Sequence, residues 1–173
     1  SVGADIVIEG HENIKKLDRP CVFVANHMST LETFFLPSII QPVCNHTFVV
    51  KESLLNYPLL GPVLSAEKPI TVTRTNARQD LMTVLEKGQE KLANGESIII
   101  FAQGTRKPDV KAEDFSSLGV KLAKKANAPV IPIALKTNAW GTSPVTKDFG
   151  TINPDSPIRI SFGEPFEIIS NNG

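Results

Sequence analysis

The chain has 173 residues, 41% hydrophobic and 21% charged, a balance that suits one folded domain with a sizeable core and excludes a disordered chain. Eighteen basic and eighteen acidic side chains cancel, so the broad positive field of a nucleic-acid binder is absent and any anion site must be local. Cys21 and Cys44 are the only cysteines, too few for a disulfide scaffold and not spaced as metal ligands; Cys21 reads as a small buried hydrophobe, and a reducing compartment fits.

In chain order, the first ten residues read as the start of a strand centred on Asp5–Glu9, followed by a polar connection. The run "PCVFVAN" has the β-branched density of a strand buried on both faces. Leu31–Ile40 reads as a helix that stops before Pro42, and Ser29 or Thr30 offers it a cap. "HTFVV" is another strand. Ser53–Ala66 carries no charge in fourteen residues and is interrupted by Pro58, Gly61 and Pro62, which predicts a bent apolar segment rather than one long helix. "KPITVT" is a strand. Asn76 stands three residues before Gln79 as in a capping box, Leu81, Leu85 and Leu92 share a face, and Gly95 marks the stop of that helix.

"SIIIF" is the most apolar strand, with Gly104 and Thr105 just beyond its end. A second clear helix covers residues 116–127, "APVIPIAL" gives a strand and "PIRISFG" a late one. The tail after Gly163 reads as an edge extension and a frayed end. Strands and helices alternating at this spacing predict a single α/β domain. Its central sheet, mostly parallel or mixed, has about six or seven strands with helices on both faces. No apolar run approaches the ~20 residues that cross a bilayer, and no signal peptide heads the chain, so any membrane anchor is expected outside this sequence.

Three places offer chemistry. In "ANHMSTLETFF", His27 precedes Glu32 by five residues. On one continuous helix that offset separates the side chains; they meet only if His27 lies in the turn after the strand and Glu32 in the first helical turn. An imidazole can then accept a proton while the carboxylate holds its other nitrogen. The alternative is a hydrogen-bonded structural histidine at a strand end. In "IIIFAQGTRKP", a buried strand runs into Gly104, Thr105 and Arg106, where backbone amides and a guanidinium suit a phosphate; the alternative is a glycine turn with a solvated arginine. In "ITVTRTN", Arg74 also follows a strand, so the two arginines can converge on one dianion, with Lys51 at the end of "TFVV" a further candidate. The apolar Ser53–Ala66 segment either wraps the core, lines a groove for an acyl chain or rests on a bilayer. Lys121, Lys124 and Lys125 on the second helix either touch anionic head groups or form a solvated face.

"NHMSTLE", "ITVTR", "FAQGTR" and "VIPIAL", in this order and spacing, resemble the blocks of the glycerolipid acyltransferases, the lysophosphatidic-acid acyltransferase-like enzymes. That family shows N-H-x-x-x-x-D, a strand ending in Arg, F-P-E-G-T-R and P-x-x-P-V/I. The resemblance runs from about Val22 to Leu135. It implies an O-acyltransferase moving a fatty acyl group from acyl-CoA or acyl-carrier protein, as co-substrate, to the hydroxyl of a lysophospholipid. By the same resemblance His27 is the general base, Glu32 its partner, and Arg74, Gly104, Thr105 and Arg106 hold the acceptor's phosphate. No cofactor, metal or nucleic acid is implied. The implied location is the cytoplasmic face of a membrane, held peripherally or by a segment outside this chain. Two departures stand out: Glu32 replaces the family's aspartate, and Ala102-Gln103 replaces its Pro-Glu, which changes the local charge by one unit and bears on the acceptor. The alternatives are an acyltransferase for a non-glycerol lyso-lipid and a non-catalytic lipid- or phosphate-binding domain on the same scaffold.

Overall fold

The computed structural model describes residues 5–58, 60–139, 141, 150–151 and 153–169. The expected strand start before Asp5 and frayed end after Ile169 lie outside them. Seven strands form one sheet: β1 (Ile6–Glu9), β2 (Val22–Ala25), β3 (His46–Lys51), β4 (Ile70–Val72), β5 (Ser97–Phe101), β6 (Val130–Lys136) and β7 (Ile158–Phe162). Their order is β1-β7-β6-β2-β5-β3-β4. The run β6-β2-β5-β3-β4 is parallel, whereas β7 is antiparallel to β6 and carries β1 parallel to itself. The sheet is therefore mixed, as expected.

Side-chain alternation along β2 divides the core. Phe23 and Ala25 face one side with Phe48, Ile99 and Ile131, beneath helix α1 (Glu12–Lys15), α2 (Glu32–Ile40) and α3 (Leu60–Ala66). Val22 faces the other side with Ile98, Ile100 and Val130, beneath α4 (Ala77–Ala93) and α5 (Leu118–Ala126). Both faces are covered, which is why the central strands are continuous apolar runs.

The local signals for α4 hold. Asn76 accepts from the Gln79 amide at 3.1 Å, and Gly95 ends the helix at φ +89° while the Glu96 amide returns to the Lys91 carbonyl. Its buried stripe differs from the leucine reading. Val84, Gly88 and Leu92 form it, and Leu81 and Leu85 are half-buried. Gly88 is the seam with α5, since a Cβ there would lie 2.7 Å from a Leu122 methyl. Ser53–Ala66 is bent as expected: a 3-10 turn over Glu52–Asn56 precedes α3. Leu31, not Ser29 or Thr30, occupies the N-cap position of α2 and makes no side-chain cap bond, while Glu32 reaches back to the Met28 and Ser29 amides; Pro37 sits inside the helix. The tail after Gly163 pairs Phe166 with Val130 of β6, continuing the line of β7 instead of adding an outer edge.

His46, at the start of β3, is a buried imidazole, and among the described residues neither ring nitrogen has a hydrogen-bond partner. Burial pushes its pKa below the ordinary value; the Glu67 carboxylate, 3.9 Å from Nε2, opposes this more weakly. The unfolded chain then binds a proton near pH ~6.5 that the folded chain refuses until lower pH. Stability is full above that value and falls as the pH drops from ~6.5 toward the lowered folded value, by at most ~1.4 kcal/mol per pH unit. His46→Phe is expected to flatten the fall in Tm between pH 7 and pH 5; an unchanged slope would assign the acid sensitivity to other groups.

Candidate active site

Four adjacent parallel strands end along one edge of the sheet, and the segments leaving them build a groove of about 980 Å³. β2 leads to His27, β5 to Ala102–Lys107, β3 to Lys51 and β4 to Arg74, in that spatial order. The starts of α4 and α5 add Ala77, Asp80, Ser117 and Lys121. This carboxyl edge is where open α/β sheets place ligands, because strand ends and helix starts converge there.

The turn after β2 is set by Asn26. Its side chain accepts from the Leu135 amide at 2.7 Å and donates to the Leu135 carbonyl at 2.9 Å. The amide side chain thus replaces a strand backbone, so the chain leaves the sheet at a fixed point. His27 follows in that turn and Glu32 opens α2, the one arrangement in which a five-residue offset lets them meet. His27 Nδ1 lies 2.6 Å from Glu32 Oε2, and its ring stacks on Phe101 at a centroid distance of 4.3 Å. Glu32 is 1% exposed, and Oε1 accepts from the Met28 amide at 2.8 Å, the Ser29 amide at 2.9 Å and the Thr137 hydroxyl at 2.6 Å. With Nδ1 donating to the carboxylate, Nε2 holds the lone pair. Among the described residues nothing bonds Nε2, and His27 lines the groove.

The loop after β5 is tied to the same turn. The Ala102 amide donates to Ala25 O at 2.7 Å, a bond that a proline at this position cannot make, and the Lys107 amide donates to His27 O at 2.9 Å. Gln103 is 1% exposed. Its Oε1 accepts from the His27 amide at 2.8 Å, its Nε2 donates to Asp109 O at 3.1 Å, and it is not among the groove-lining residues. A glutamate here accepts but cannot donate to Asp109 O, whereas the amide serves both partners. The candidate Gln103 is therefore a strut between two loops and is not part of the groove wall.

Arg74, Gly104, Thr105, Arg106 and Lys51 all line the groove. The Arg106 guanidinium donates to the Thr30 hydroxyl, which fastens it over the start of α2. Arg74 donates to Gly104 O across the groove and adopts φ +61°. Lys107 pairs with Asp114. Lys121 lines the groove, while Lys124 and Lys125 are exposed on the outer face of α5. Residues with no sequence motif to announce them are Thr137 beside the His27–Glu32 pair and Asp80 beneath Arg74. Cys21 lies at the opposite edge of the sheet with its thiol pushed up to about 12 by burial, which makes it unsuited to nucleophilic chemistry.

A family model described as Acyltransferase matches residues 5–136, which span the sheet from β1 to β6 and every groove segment. The chain belongs to this acyltransferase family. It is 37% identical over 146 residues to the 1-acyl-sn-glycerol-3-phosphate acyltransferase of Pseudomonas aeruginosa, covering 84% of this chain and 55% of that protein. It is 30% identical over 146 residues to the yeast (Saccharomyces cerevisiae) protein of the same name, covering 83% of this chain and 46% of that one. Among solved structures it resembles the 1-acyl-sn-glycerophosphate (LPA) acyltransferase of Thermotoga maritima. The TM-score is 0.71 at 27% identity, over 99% of this chain and 66% of the other. The chain spans about half the length of the curated relatives it matches.

Proposed function

We propose that this acyltransferase-family domain transfers a fatty acyl group from a thioester, acyl-CoA or acyl-carrier protein, to the free hydroxyl of a lysophospholipid such as lysophosphatidic acid. The observation that carries the reading is the 2.6 Å contact between His27 Nδ1 and Glu32 Oε2 at the wall of a groove bearing Arg74, Arg106 and Lys51.

His27 Nε2 takes the proton of the acceptor hydroxyl as its oxygen attacks the thioester carbonyl. Glu32 keeps the ring in the right tautomer and offsets the imidazolium charge. Arg74 and Arg106, with the backbone at Gly104 and Thr105, hold the acceptor's phosphate, and Lys51 adds a cation at the rim. The tetrahedral oxyanion collapses, the C–S bond breaks, and the thiolate recovers the proton from His27. No acyl-enzyme is needed. The apolar residues Leu54, Leu64 and Val72 of the same groove suit the acyl chain. The work site is a membrane surface on its cytoplasmic face, reached peripherally or through a segment outside this chain; among the described residues no helix is long and apolar enough to cross a membrane.

A panel of lyso-lipids offered with one acyl thioester and read by mass spectrometry tests this. A phosphate-monoester acceptor is expected to give the diacylated product. Arg106→Ala is expected to raise the KM for that acceptor about tenfold or more, the scale of one lost charged hydrogen bond. Thioester consumption without an acylated acceptor, or an unchanged KM, would contradict the reading.

A further inference from the structure

Arg74 is one of three residues with a side chain at positive φ among those described, and the only one of the three in the groove wall. Side-chain-bearing residues seldom adopt this conformation, so a neighbour must hold it there. That neighbour is Asp80, in the first turn of α4. Its Oδ2 accepts from the Arg74 amide at 2.7 Å, and its Oδ1 accepts from the Thr73 amide at 2.8 Å and the Thr73 hydroxyl at 3.1 Å. One carboxylate thus grips two consecutive amides of the strand-to-helix turn. Because the Thr73 hydroxyl donates to Asp80, it accepts from Thr75, whose amide and hydroxyl lie 3.2 and 2.9 Å away. The turn is pinned from both sides, and from it the Arg74 guanidinium reaches Gly104 O. The carboxyl of Asp80 is held below its ordinary range, chiefly by the Thr73 amide, so it stays charged.

We propose that Asp80 is a positioning residue for anion binding: it fixes the backbone of Thr73 and Arg74 so that the Arg74 guanidinium points across the groove at the acceptor's phosphate. The proposal rests on the phosphate-site reading above and adds a residue that lies in none of the family blocks. It makes an expectation opposite in sign to simple Coulomb reasoning. Asp80 lines the groove, so removing its negative charge alone would tighten an anion. If its office is to aim Arg74, removal loosens the anion instead.

The test needs no turnover. Glycerol 3-phosphate is titrated into the full chain and followed by amide chemical shifts, for wild type, Asp80→Ala, Asp80→Asn, Arg74→Ala and the Asp80→Ala/Arg74→Ala pair, with circular dichroism confirming helix content. Asp80→Ala is expected to raise Kd about fivefold to tenfold. Asp80→Asn, which keeps one carbonyl acceptor, is expected to fall between. In the Arg74→Ala background the Asp80 change is expected to cause no further loosening, because nothing remains to aim. Tighter or unchanged binding in Asp80→Ala, or an equal loosening with and without Arg74, overturns the positioning role alone. Absence of saturable binding in wild type overturns the phosphate site and the proposal with it.

Discussion

His27→Ala is expected to lower kcat for acyl transfer by about 10²- to 10⁴-fold, the range that a positioned general base contributes. The loss should fall on kcat more than on KM, because the proton moves only as the hydroxyl attacks. The fold should survive. Asn26 fixes the turn before His27 through its side chain, the Gln103 and Lys107 bonds to position 27 are to backbone atoms, and Glu32 keeps three of its four donors. Steady-state kinetics with acyl-CoA and lysophosphatidic acid, beside a thermal melt, read both quantities. Wild-type rates in a folded variant would remove His27 from the chemistry.

Glu32 is expected to separate stability from catalysis, depending on its replacement. Glu32→Ala leaves the Met28 and Ser29 amides and the Thr137 hydroxyl without their acceptor beneath a buried helix start. At about 1–3 kcal/mol for each buried orphan, the total rivals the ~5–15 kcal/mol that holds a domain of this size together. A large drop in Tm is expected, with loss of activity as a consequence. Glu32→Gln keeps a carbonyl oxygen for those three donors and turns an amide N–H toward Nδ1. The imidazole then accepts at Nδ1 and carries its hydrogen on Nε2, where it cannot take a proton. That variant should melt within a few degrees of wild type yet turn over about 10²- to 10⁴-fold more slowly. A folded Glu32→Gln with undiminished kcat would mean that the carboxylate is structural.

The elements were legible because their signals are local. β-branched runs mark β2, β5 and β6, Asn76 and Gly95 bracket α4, and the proline and glycine breaks of Ser53–Ala66 foretell its bend. The meeting of His27 and Glu32 was legible for a related reason: a five-residue offset works only across a strand-to-helix turn, and the apolar pattern places that turn between them. What stayed hidden depends on distant partners. Thr137 reaches Glu32 across 105 positions, and nothing in "LKTNA" announces it. The sequence likewise does not reveal that the Gln103 side chain turns to the His27 amide and Asp109 O. The start of α2 has the same origin: Glu32 reaches back to the Met28 and Ser29 amides, and the Arg106 guanidinium donates to the Thr30 hydroxyl. The orientation of β7 and β1 likewise follows from pairing, which no single strand encodes.

A double-mutant cycle on kcat tests the central claim most directly, with His27→Ala, Glu32→Gln and the two combined assayed on one acceptor and one thioester. If the imidazole and the carboxylate act as a single proton-accepting unit, the combined variant is no slower than His27→Ala alone, since Glu32 has nothing left to orient. Losses that multiply would show two independent contributions and contradict the account.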